Sequence, residues 1–146
     1  MRRYLLDTSI LSVLVQPRAD PRVVVWIRAH PPVALGISVL AIGEIAQRIA
    51  RLAPGARRDA LLAWVQFELP GVFRDRTFAI DLAVARRWGQ LDAAGRTMGR
   101  PLPVVDGLML ATAARHDLVL ATRNVSACAQ RGVPVFDPFT GTLHPG

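Results

Sequence analysis

Three of the eleven acidic residues in this 146-residue chain stand out by their surroundings. Asp7 directly follows an apolar run, Glu44 lies in the second turn of the segment after another, and Asp106 opens a third. Taken singly, each has an ordinary role. Asp7 can start a helix, Glu44 can pair with Arg48 four residues on, and Asp106 can complement a helix dipole. Taken together they read differently. Like charges gathered in one site repel and raise each other's pKa values, so such a cluster persists best around a divalent cation. Oxygen-only ligands suit Mg²⁺ or Mn²⁺ rather than zinc. A hard cation held this way lowers the pKa of water and supplies hydroxide near neutral pH.

Other chemistries fall away. Cys128 is alone, which excludes a disulfide framework and a cysteine zinc site and leaves a small buried hydrophobe. His30, His116 and His144 are scattered, and the first two fall where helices should end. Gly36-Ile37-Ser38 half resembles a nucleophile elbow but lacks its second glycine, so Ser38 reads as a helix cap. All eighteen basic residues are arginine. Without lysine there is no Walker-A loop, pyridoxal Schiff base, protein kinase or response-regulator receiver. A net charge of +7 suits a polyanion such as RNA or DNA, although arginine-rich codon usage accounts for the missing lysine. Pro31 to Gly43, the longest uncharged run at 13 residues, is too short to cross a bilayer. Asp7 interrupts the first apolar run before any signal-peptide pattern, so the chain reads as soluble and cytoplasmic.

The elements that must position these acids follow from the apolar pattern. Strands are expected at Arg3 to Leu6, Val33 to Ile37, Thr77 to Ala79, Leu118 to Thr122 and Val133 to Phe136. Helical turns are expected from Ile10 to Val15, and helices from Asp20-Pro21 to Ala29 and from the Ser38 cap to Leu52. Further helices fit Ala60 to Phe67, the segment capped by Asp81 with Leu82, Ala85, Trp88 and Leu91 inward, and Val104 to Arg115, with a loop from Gly95 to Pro103. Apolar strands alternating with helices indicate one α/β domain over residues 1–146, its mostly parallel sheet covered on both faces in three α/β/α layers. Right-handed crossovers then bring the strand C-terminal ends to one edge, with Asp7 and Glu44 behind them, and Asp106 joins them if its helix abuts the first strand.

Four motifs, LLDTS (Leu5 to Ser9), SVLAIGEI (Ser38 to Ile45), PVVDGLMLATA (Pro103 to Ala113) and LATRN (Leu120 to Asn124), resemble the PIN-domain ribonucleases. They are most similar to the VapC-type toxins of toxin–antitoxin pairs. The similarity extends to the GRPLP loop (Gly99 to Pro103) and the Asp137-Pro138-Phe139 ending. It implies an acidic pocket holding Mg²⁺ or Mn²⁺, with Asp7 and Asp106 as principal ligands and Glu44 helping to hold the cation or orient its water. It further implies an RNA substrate, a homodimer and neutralisation by a cognate VapB-type antitoxin. Asn124 stands where many members carry a fourth acid, and Ala127 and Cys128 where a related pattern has Asp-Phe. Thr8, Ser9 and Thr122 are candidates for holding phosphate oxygens or water, or for capping; Arg123 grips RNA or is solvated. The expected function is a metal-dependent endoribonuclease toxin. The alternative, prompted by Asn124, is a PIN-like RNA-binding protein that no longer cleaves. A haloacid-dehalogenase-like phosphatase would need an aspartate where Ser9 stands.

Overall fold

Tyr4–Leu6 forms β1, buried at all its positions, and the chain turns at once into a single helical turn, α1 (Thr8–Leu11), continued as a 3-10 turn through Val15. The computed structural model describes residues Met1 to Gly146. Asp20 accepts from Arg22 N and Pro21 sits at the first helical position, so α2 (Pro21–Arg28) starts where its residue types favour it. Pro31 and Pro32 end it, and β2 (Leu35–Ser38) follows. Ser38 then caps α3 (Val39–Ala50), whose buried face is Ala41, Ile45 and Ile49, while Leu52 lies beyond the helix and is exposed.

One long helical stretch succeeds it: α4 (Ala56–Ala63), a π-helical segment Trp64–Glu68 and α5 (Leu69–Val72). This exceeds the expected Ala60 to Phe67 because the π turn resets the ladder and lets Pro70 enter near the start of α5, where its missing N–H costs little. The edge strand β3 is Thr77–Phe78. Helix α6 (Leu82–Thr97) is capped by Asp81, but its inward face is Val84, Leu91 and Gly95 with Trp88 half-buried; Leu82 and Ala85 point outward. Gly95 therefore belongs to a helix, not to the loop. A Cβ there would lie 2.7 Å from the Arg100 carbonyl oxygen and 2.9 Å from Arg131 Nη1, so glycine admits the returning chain.

Helix α7 (Val104–Arg115), apolar on most sides, buries Gly107, Met109, Leu110, Ala111, Thr112 and Ala113 and leads into β4 (Val119–Ala121). A one-turn helix α8 (Val125–Cys128), β5 (Val135–Asp137) and β6 (Thr142–His144) complete the chain. The sheet order is β3-β2-β1-β4-β5-β6, parallel except for β6, which runs antiparallel to β5. Neither α8 nor β6 is expected from the sequence, since each is a single turn or three residues long and draws its stability from its neighbours. Leu5, Leu6, Ile37, Leu110 and Leu120, none more than 1% exposed, join the sheet to the helices covering it. Leu110→Ala is expected to cost about 2–5 kcal/mol, read as a lower urea midpoint at unchanged slope.

Successive strands run outward from β1 to β2 and β3, then restart on its other side with β4 and β5. The crossovers diverge between β1 and β4, which opens a crevice at their C-terminal ends. That crevice positions the site.

Candidate active site

A cavity of about 400 Å³ opens there, lined by Asp7, Thr8, Ser9, Glu44, Arg48, Asp106 and Asn124 among others. The three carboxylates singled out in the sequence thus meet from three elements: the end of β1, the second turn of α3 and the first turn of α7.

Asp7 is the most constrained. Its N–H extends the ladder to Ala121 O at 3.0 Å. Its Oδ1 accepts from Ser9 N at 2.9 Å, Ile10 N at 3.3 Å and the Ser9 hydroxyl, which makes it the cap of α1. Its Oδ2 accepts from the Thr122 hydroxyl. Only 7% of the residue is exposed. Burial pushes the Asp7 carboxyl above its ordinary value, and these hydrogen bonds oppose that rise without cancelling it.

Asp106 is half-buried, and burial likewise lifts its carboxyl above the usual carboxylate range. The hydrogen bond from Asn124 Nδ2 to Asp106 Oδ2, at 2.9 Å, works against the rise, while the charge of Glu44 adds to it. Gly107 fixes the depth of this turn: a Cβ on it would meet Trp88 Cδ1 at 2.9 Å, so glycine lets the indole of α6 pack against α7. Glu44 accepts from the Thr8 hydroxyl, which links α3 to α1.

The hydroxyls considered as phosphate holders are therefore committed to the acids. Thr8 serves Glu44, and Ser9 and Thr122 serve Asp7. Ser9 Oγ also accepts from Arg123 N at 3.1 Å, and Thr122 Oγ1 from Asn124 N at 3.0 Å. Thr122 is fully buried beneath the cavity. The Arg123 guanidinium lies over the Phe139 ring, 4.4 Å from its centroid, and its side chain is absent from the cavity wall. Cys128 is buried, with its thiol pushed up to about 12 chiefly by burial, so it is chemically inert. The i, i+4 spacing suggests an ion pair between Glu44 and Arg48, but Arg48 lies on the cavity wall with no such pair. Its spacing four residues beyond Glu44 was the available signal.

The donor set is all oxygen, which fits a hard divalent cation. No three His, Cys, Asp or Glu side chains converge on a single point, so the carboxylates form an open rim held by protein donors rather than a closed cage.

The PIN domain family matches residues 4–129. The chain belongs to the PIN-domain family. Toxin FitB of Neisseria gonorrhoeae is 28% identical over 135 residues, spanning 92% of this chain and 97% of FitB. A VapC ribonuclease of Sinorhizobium fredii, Y4jK, is 28% identical over 134 residues, covering 92% of this chain and 96% of its own. Among solved structures, FitAcB from Neisseria gonorrhoeae superposes with a TM-score of 0.88 at 28% identity, over 93% of this chain and 98% of that chain. A toxin–antitoxin complex from Klebsiella pneumoniae gives a TM-score of 0.69 at 26% identity, over 92% and 97% of the two chains. The expected fold is thus the fold observed, and no helix of this PIN domain is long and apolar enough to cross a membrane.

Proposed function

We propose that this PIN domain is the ribonuclease toxin of a type II toxin–antitoxin pair and hydrolyses RNA phosphodiesters with the help of Mg²⁺ or Mn²⁺. The observation that carries the reading is the meeting of Asp7, Glu44 and Asp106 on one cavity at the sheet's strand-order reversal. Asp7 and Asp106 are the principal ligands, and Glu44 completes the acidic face. A divalent cation bound there supplies hydroxide near neutral pH and offsets charge on the attacked phosphate.

The remaining steps belong to the chain. Asp7 is held by Ser9, Ile10 and Thr122 so that its carboxylate keeps one orientation. Thr8 sets Glu44, and the Asn124 amide sets Asp106 while adding no charge of its own. A side chain fixed before substrate arrives needs no reorganisation during the reaction, and that preorganisation is the protein's share of the catalysis. The toxin assignment draws on the relative that bears that name, FitB, and on the toxin–antitoxin complex among the structural neighbours; the ribonuclease assignment draws on the VapC ribonuclease. It carries with it a VapB-type antitoxin as partner, a homodimer and residence in the cytoplasm.

Incubating the purified protein with total bacterial RNA in Mn²⁺, with and without chelator, tests the activity. Loss of intact RNA bands that stops with chelator, and that Asp106→Asn abolishes, is the expected result. The second reading, an RNA binder that does not cleave, draws on Asn124 standing as an amide beside Asp106. Retarded but uncut RNA, bound equally by wild type and Asp106→Asn, would establish it instead.

A further inference from the structure

One residue on the acidic cavity wall carries positive charge: Arg48. It stands one helical turn beyond Glu44 on α3, at the spacing that ordinarily forms an ion pair. That pair does not form. The chain's ion pairs are Arg22–Asp20 and Arg96–Asp92, and the Glu44 carboxylate accepts from Thr8 on the neighbouring element instead. Arg48 is exposed and uncommitted at the mouth of a site built from acids.

The formal charges on the wall make this arrangement informative. Three carboxylates and one guanidinium leave the cavity at −2, and Asn124 contributes nothing. One divalent cation brings the wall to neutrality, whereas two would leave it as positive as it was negative. We propose that Arg48 grips the scissile phosphodiester and that, with Asn124 in place, the site works with a single divalent cation. The inference rests on the ribonuclease reading above and goes beyond it in naming the phosphate contact and the cation count.

The chemistry suits the residue. A guanidinium presents parallel N–H donors in a planar fork that matches two non-bridging phosphate oxygens. During hydrolysis a water oxygen bonds to phosphorus, one water proton leaves to solvent, and the bond from phosphorus to the departing ribose oxygen breaks. That oxygen takes up a proton, so one water is consumed overall. Negative charge grows on the non-bridging oxygens along this path, and a donor aimed at them stabilises the transition state more than the bound substrate. This is the part a second cation would otherwise play.

The test compares wild type, Arg48→Ala, Arg48→Lys and Asn124→Asp by two readouts. The first is the initial rate at which intact bands of total bacterial RNA disappear in Mn²⁺. The second is calorimetric titration of the RNA-free protein with Mn²⁺ alone. Arg48→Ala is expected to slow cleavage by about 100-fold, the usual effect of removing one transition-state donor, and Arg48→Lys to recover part of the loss. Both variants should still take one Mn²⁺ per chain, Arg48→Ala more tightly because a repelling charge is gone. Asn124→Asp should admit a second ion. Wild-type cleavage matched by Arg48→Ala would overturn the phosphate role while leaving the ribonuclease reading intact. Loss of Mn²⁺ binding in Arg48→Ala would make Arg48 a support for the acids, and two ions in wild type would overturn the single-cation site. A wild type that leaves all RNA intact would sink the ribonuclease reading and this proposal with it.

Discussion

Asp7→Asn is expected to lower RNA cleavage by at least about 10³-fold, the scale of losing a principal electrostatic group, while the cation-free protein melts at the same temperature or higher. Both halves follow from the surroundings of Asp7. An asparagine keeps an oxygen for Ser9 N and Ile10 N, and asparagine caps helices as well as aspartate does. Its amide can donate to the Thr122 hydroxyl, reversing the present bond without breaking it. What disappears is a negative charge that burial already disfavours. The charge costs stability in the absence of a cation and is needed only when one binds. Calorimetric melting in chelator beside the cleavage assay checks the prediction. A variant that fails to fold would mean that Asp7 is there to hold β1 to α1 and not to do chemistry.

The second large effect concerns pH and the cation together. The folded-state pKa values of Asp7 and Asp106 both lie above the ordinary 3.8, so across that interval the folded chain binds more protons than the unfolded one. The contribution of these two acids to the stability of the cation-free protein should therefore be fully present below the ordinary value and should be lost as pH rises through the raised ones. A divalent cation reverses the trend, since it binds the ionised acids and not the protonated ones. At neutral pH, cation at 100 times its dissociation constant should add about 2.7 kcal/mol. For a domain this size that corresponds to a melting temperature higher by roughly 5–10 °C. Near pH 4 the gain should shrink, and in Asp7→Asn it should largely vanish. Melting scans in chelator and in Mn²⁺ at both pH values decide the matter. A melting temperature indifferent to Mn²⁺ at neutral pH would remove the case for a cation site.

Much of the architecture is legible in the chain because the burial signal is local. Continuous apolar runs such as Leu35 to Ile37 and Leu118 to Ala121 mark strands covered on both faces, and caps such as Asp20, Ser38 and Asp81 mark where helices begin. Elements that owe their form to distant neighbours are less legible. Gly95 reads as a loop residue by type, yet it is helical, and its missing side chain makes room for the Arg100 carbonyl and the Arg131 guanidinium. The inward face of α6 is Val84 and Leu91 rather than Leu82, and only the docking of α6 against α7 selects between these near-equivalent stripes.

The same division holds at the site. The types and placement of Asp7, Glu44 and Asp106 already point to oxygen ligands for a hard cation, since Asp7 directly follows one apolar run, Glu44 lies in the second turn after another and Asp106 stands near the start of a third segment. Which polar groups serve those acids was not readable, because hydrogen bonds such as Thr122 to Asp7, 115 residues apart, depend on which strands become neighbours. The charge and chemistry of the pocket are thus properties of side chains, carried by the sequence at each position. The freedom of Arg48 from Glu44 and the commitment of Thr8, Ser9 and Thr122 to the carboxylates are properties of distance, and distances across a sheet exist only once its strands have paired.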